Sequence, residues 1–271
     1  MSGMEFQFQI EGWHAGLRPG NEADQEWQIS GSPPNPEPNA GGSAQTSTVT
    51  MPRMLNRRLG KLPKIAASGA VDLPNVQDAT YVVCSRHGDF DRVLRLLHSL
   101  SDEEGLSPTD FSLSVHNMLA GVLSIAAGNT EAHTAIAAGS NTFVFGVMEV
   151  LTLLASGRAQ SAMLLYYDAP LPGEYAGLES QWEINELALV VAFSSVEPSQ
   201  GDEQSGAITR SYTATLLLGG DGVSATEAGS VTQAEAFIQF LKNPGLPQES
   251  RGTRIGWRWS QGVAQTGQDH V

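Results

Sequence analysis

The sequence predicts a layered α/β domain, and three observations carry that expectation. Short runs of β-type character, ATYVVCS (79–85), AMLLYY (162–167), LALVVAF (187–193) and YTATLLL (212–218), alternate with helical stretches. Two of those stretches, Ser114–Gly128 and Phe143–Ala155, are apolar on most faces, as a helix buried between layers is. The chain has 271 residues, 41% of them hydrophobic, which is enough for one large core. We read residues 1–271 as a single domain, with no second copy of the pattern.

Taken in order, Met4–Ile10 alternates Phe6, Phe8 and Ile10 with Gln7 and Gln9, the period of a half-buried strand. Residues 31–50 are rich in Pro, Gly, Ser and Asn, which predicts a flexible loop. Met51–Ala67 holds Arg53, Arg57, Arg58, Lys61 and Lys64, five of the fifteen basic residues, with Leu55, Leu59 and Leu62 at helical spacing. It reads as an amphipathic element with a charged face, either solvated or open to an acidic partner. Cys84 lies inside the apolar run 79–85 and should behave there as a small hydrophobe. Asp89–Leu100 places Phe90, Val93, Leu94 and Leu97 on one helical face, and Ser107-Pro108 ends that unit. After the first apolar helix comes a short strand, Thr134–Ala138, then a turn at Gly139-Ser140-Asn141. The second apolar helix follows, closed by Gly157 as a C-cap glycine. Serine just before a helix is favoured as an N-cap, so Ser140 reads first as a cap. Glu197–Glu203 and Gly219–Gly222 read as a loop and a turn; Thr232 and Glu235 form a capping box, and the tail frays after about residue 260.

Composition excludes several classes. The net charge of −14 argues against nucleic acid, whose phosphates need a basic footprint. It also argues against direct docking of a strongly acidic carrier protein. One cysteine cannot form an internal disulfide and fits a reducing, cytoplasmic setting. No run approaches the roughly 18 apolar residues of a membrane span, and the N-terminus lacks the pattern of a secretory signal. No HExxH, paired CxxC, P-loop, GxGxxG or GxSxG is present, so no metal or cofactor is expected.

The stretch Asn117–Gly157 carries a resemblance. Asn117, Met118, Ala120, Gly121, Leu123, Ile125 and Gly128 match the form N-M-x-A-G-x-L-x-I-x-x-G, and Gly157 matches a later helix-ending glycine. Upstream, Trp13, Ala15, Pro19 and Gly20, with Trp27 beyond, are similar to the start of short ketosynthase-like domains. The chain resembles the β-ketoacyl synthases, of the thiolase fold, with the N-terminal half well represented and the C-terminal half truncated. Counted without a gap, the family's nucleophilic cysteine falls on Ser140. The family's two catalytic histidines come from its second half; here no histidine lies between His133 and His270. A serine without an adjacent base is a poor nucleophile. Within the resembling core only His87, His116 and His133 could supply one.

The resemblance therefore implies a cysteine-less subunit of the chain-length-factor type, as in aryl polyene or other polyketide and fatty-acid-like pathways. Such a subunit pairs with an active β-ketoacyl synthase, meets acyl carrier protein only through it, and shapes the acyl tunnel. It implies Phe111, His116, Met118 and Ser140 as tunnel residues, and Gly121, Met118 and Phe143 as interface residues. A serine-dependent acyltransferase or thioesterase on the same scaffold is the alternative, and a structural homodimer a third reading.

Overall fold

The computed structural model describes residues 4–18, 26–32, 49–173, 175–178, 185–196, 211–218, 232–251 and 255–262. Most of the loop at 31–50, the segment 197–203, the turn at 219–222, Pro19, Gly20 and the tail after 262 lie outside these residues.

The described strands form one mixed sheet. In chain order they are β1 (Glu5–Arg18), β2 (Gln28–Ser32), β3 (Thr80–Cys84), β4 (His133–Ile136), β5 (Ser161–Asp168), β6 (Glu186–Ser194), β7 (Ser211–Leu218), β8 (Gln248–Arg251) and β9 (Ile255–Gln261). The order across the sheet is β4-β3-β5-β6-β1-β7-β9-β8, with β2 also paired to β1. β3 runs parallel to both β4 and β5, and every other pairing is antiparallel. The helices are α1 (Arg53–Arg58), α2 (Lys61–Val71), α3 (Phe90–Ser101), α4 (Pro108–Ser112), α5 (Met118–Ala127), α6 (Thr142–Ala155) and α7 (Gln233–Lys242).

The central strands are apolar at successive positions because both of their faces are covered. Tyr81, Val83, Met163, Leu165, Tyr167 and Val190 point into a core shared with α2 and α5. Val82, Cys84, Leu164, Tyr166, Leu189 and Val191 point the other way, into a core shared with α6 and α7. The molecule is thus a sheet between two helical layers.

β1 is longer than its alternation predicts. A register shift between Ile10 and Gly12 marks a bulge against β6. One extra residue changes the parity of a strand. Phe6 and Phe8 before the bulge and Trp13 and Ala15 after it therefore enter the same core. The alternation counted from Phe6 breaks at that residue, so the strand's second half was hidden in the sequence.

α6 is apolar nearly all round because it is covered on both sides. Gly146 sets it against the sheet: a Cβ there would overlap Cys84 Sγ, so only glycine lets the helix backbone come this close to β3. On the far side Phe143 meets Phe237 of α7 at 5.6 Å between ring centroids, and Phe237 meets Trp259 of β9 at 4.5 Å. Trp257 and Trp259 have no exposed surface.

Two helices differ from expectation. The first apolar helix begins at Met118 rather than Ser114, because Leu113 closes α4 and a turn fills the gap. It is also not buried all round, since Ile125 is 72% exposed. In α3 the buried residue is Arg92, while Leu97 and Leu100 are exposed. Of the stripe read from periodicity, Phe90, Val93 and Leu94 are half-buried and Leu97 is exposed, while Arg92 is anchored beneath by its polar contacts.

Gly146→Ala should force α6 away from β3. The cost expected for overpacking is about 1–3 kcal/mol, read as a lower urea midpoint with an unchanged slope. An unchanged midpoint would mean that Cys84 moves aside without strain.

Candidate functional site

The turn between β4 and α6 holds the position that the resemblance assigns to a nucleophile. α5 ends at Gly128 in the left-handed conformation, φ +68°. Asn129 then fastens the chain to the entry of β3, donating from Nδ2 to the Val76 and Ala79 carbonyls at 3.0 Å each. That anchorage sets β4 beside β3. Gly139–Asn141 forms a single 3₁₀ turn, with Gly139 at φ +58°.

Ser140 stands exposed in the middle of this turn. It is not the cap of α6. Asn141 occupies the N-cap position without a side-chain cap bond, and Thr142, the first residue of α6, ties the turn together. Thr142 Oγ1 accepts from the Ala138 N–H at 2.9 Å and donates to the Gly139 carbonyl at 2.7 Å. Inside the helix by one residue, a threonine holds the turn more tightly than a serine at its tip could, since its hydroxyl bridges both ends. Among the described residues Ser140 Oγ has no hydrogen-bond partner, so nothing there activates it.

The three core histidines are dispersed. His133 is exposed on β4. His116 lies in the turn before α5 and packs over Gly88, whose left-handed φ of +65° opens the space. His87 makes an edge contact with Phe90, centroids 6.2 Å apart. No hydrogen bond joins any of them to Ser140. Cys84 is wholly buried, and burial pushes its thiol far up, away from the thiolate form a nucleophile needs.

The proposed tunnel and interface residues divide by direction. Phe111 is 63% exposed, and Gly121 faces open space. Met118 and Phe143, by contrast, are buried in the two cores of the chain itself, so their side chains are not available at its surface. A buried helix offers only part of its circumference outward. For α5 that part is Gly121, Ser124 and Ile125.

A charged cluster that the sequence reading missed closes the ends of β3 and β5. Arg86 Nε donates to Asp168 Oδ2 at 2.6 Å, and Tyr166 Oη donates to the same carboxylate at 3.3 Å. Asp168 is 2% exposed. Burial raises its carboxyl above the ordinary range, and the Arg86 guanidinium partly opposes that shift. Ser85 Oγ accepts from the Gly88 N–H at 2.8 Å and stiffens the same loop. The signal was present: a buried apolar strand that ends in a charge must find it a partner. Among the described residues no group of three His, Cys, Asp or Glu side chains could hold a metal, and no helix is long and apolar enough to cross a membrane.

The two-layered covering of a mixed sheet, with a turn and buried helix after a short parallel edge strand, defines a thiolase-like protein. Residues 27–260 match the β-ketoacyl synthase N-terminal domain, and the chain belongs to that family. Among solved structures it is similar to the ketosynthase ApeO in complex with its chain length factor ApeC from Xenorhabdus doucetiae. The TM-score is 0.67 at 20% identity, covering 94% of this chain and 99% of that one. It is also similar to the ishigamide ketosynthase/chain length factor, at TM-score 0.51 and 13% identity, with 88% and 73% covered. A β-ketoacyl synthase from Burkholderia phymatum aligns at TM-score 0.53 and 11% identity, with 88% and 70% covered. No curated protein matches the sequence.

Asp168→Ala removes the buried carboxyl group that accepts from Arg86 and Tyr166. We expect a loss of about 1.5–3 kcal/mol in urea unfolding. The sign of the pH effect follows from the raised carboxyl. The folded chain holds this proton more tightly than the unfolded one, so wild-type stability should fall as pH rises through the raised value, and the alanine variant should lack that fall. An alanine variant of wild-type stability would remove the pair as a lock.

Proposed function

We propose that the chain is a non-catalytic ketosynthase-like subunit of the chain-length-factor type. It pairs with an active β-ketoacyl synthase and helps to shape the tunnel that holds the growing acyl chain. One observation carries the reading: the end of the sheet at β4 is an open edge among the described strands. β4 pairs only with β3 among them, and its outer edge offers backbone groups to a second strand. Phe111, Val115 and Ile125 are exposed in the elements that precede it in the chain. A lone chain with an unpaired strand edge and large exposed apolar side chains has the features of one half of an interface.

The exposed, unpartnered Ser140 supports the absence of chemistry in this subunit. An acyltransferase or thioesterase reading gains no support, because among the described residues no base bonds its serine. The similarity to structures described as ketosynthase and chain length factor points the same way. In this reading the acyl carrier protein approaches through the ketosynthase, Phe111 and His116 lie on the tunnel side, and the product belongs to a polyketide, aryl polyene or fatty-acid-like pathway. The subunit works in the cytoplasm without cofactor or metal.

Purified alone and incubated with acyl- and malonyl-carrier proteins, the chain should neither release CO₂ nor gain mass at Ser140. Intact-protein mass spectrometry decides this; an acyl adduct on Ser140 would reverse the assignment.

Gly121→Leu tests the interface without burdening the fold. A side chain placed at Gly121 meets nothing within 4 Å in the lone chain, and leucine is the better helix former. Thermal unfolding should be unchanged or slightly raised. Co-expressed with the ketosynthase, the variant should elute alone on size exclusion, where the wild type co-elutes. Wild-type co-elution by the variant would place α5 outside the interface.

A further inference from the structure

α3 seats on the body by its first two turns and leaves two leucines of its second half outward. Its one buried side chain is Arg92; Phe90, Val93, Leu94 and Leu96 are half-buried, and Leu97 and Leu100 are exposed. Arg92 is held by three acceptors from three segments. Nε donates to Asp89 Oδ2 at 3.1 Å, Nη2 to the Arg58 carbonyl at 2.7 Å, and Nη1 to Asp110 Oδ1 at the start of α4. A planar guanidinium can serve all three at once. Leu97 is five residues on, about 140° round the helix from Arg92, and is 45% exposed. Leu100 is 61% exposed and Leu106 45%. Residues 100–109, the end of α3, the loop after it and the start of α4, are all exposed.

We infer that the leucine stripe of α3, held outward by Arg92, is a docking surface for the ketosynthase subunit, an inference that rests on the pairing proposed above. Three observations favour that occupant. First, Arg92 bonds Asp110, so α3 is pinned to α4, which carries Phe111 on the face already assigned to the partner. Second, a stable specific interface takes about 800 Å² and about 20–30 residues from each side. The four residues of β4 and the outward positions of α5 fall short of that number. Third, the stripe ends in an exposed acidic rim, Asp102, Glu103 and Glu104, on a chain of net charge −14. A second copy of this chain or an anionic lipid surface would be repelled from it, so the fitting partner has an apolar centre and a basic rim.

The test uses the full chain and its co-purified, cysteine-bearing β-ketoacyl synthase, with affinity measured by isothermal titration. Leu97→Glu/Leu100→Glu should bind at least tenfold more weakly, with the thermal midpoint and circular dichroism of the free chain unchanged. Ile29→Glu, at an exposed position on β2, should bind as the wild type does. Equal affinity for the double variant and the wild type overturns the docking role of α3 and leaves the pairing itself standing. Self-association of the wild type that the double variant abolishes also overturns it, in favour of a second copy. Failure of the wild type to bind the ketosynthase removes the pairing, and the α3 surface with it.

Discussion

The structure depends on burying β3 and β5 from both sides. Their side chains are apolar on both faces, so neither face can meet water. Each wholly buried aliphatic or aromatic side chain gains about 1.5–3 kcal/mol over exposure, and these two strands contain few that are not buried. Helices must therefore lie above and below. α2 and α5 cover one face and α6 the other, and the crossovers through α3–α5 and through α6 bring β4 and β5 to opposite sides of β3. β4 is left at the edge by this routing alone. The open edge is thus a consequence of how the central strands are covered, and it needs no special sequence of its own.

Covering α6 creates a second demand. A helix with Phe143, Val147, Val150 and Leu154 all buried needs apolar surface beyond the sheet. That surface comes from the C-terminal part of the chain. α7 supplies Phe237 and Phe240, and β9 supplies Trp257 and Trp259. β7 and β9 join the main sheet through the first half of β1, so this aromatic layer hangs from the same sheet that it helps to close. The bulge in β1 serves that join, since it keeps Phe6 and Phe8 on the α6 side while the second half of the strand pairs with β6.

Legibility followed the range of the interactions. The central strands, α6 and its closing glycine could be read from period and from Gly157, because continuous apolar runs and left-handed glycines have local causes. The edge position of β4 was not legible, since it depends on strand order. The orientation of α3 was hidden for a related reason. Its stripe is visible in the sequence, but the three acceptors of Arg92 come from residues up to 34 positions away. Ser140 illustrates a subtler case. A serine before a helix is a sound N-cap expectation, yet Thr142 lies two residues later with a hydroxyl that bonds both ends of the turn. Ser140 stands at the tip of that turn, exposed, and Asn141 rather than Ser140 takes the N-cap position.

The same geometry shows why the residue at the tip of this turn matters little to the fold. A catalytic group at this turn must be exposed, and an exposed side chain contributes little to packing. The residues that hold the turn are Thr142, Gly139 and Asn129, none of which is the residue at its tip. Either a serine or a cysteine at position 140 would leave the backbone path of β4 and α6 untouched. Other polar side chains of this region are committed to structure, Arg86 and Asp168 to each other and Arg92 to three segments. Among the apolar side chains left at the surface are Phe111, Val115, Ile125, and Leu97 and Leu100 of α3. Exposed groups of this kind gain free energy by contact with another surface. They are the groups that the proposed pairing with a ketosynthase would cover.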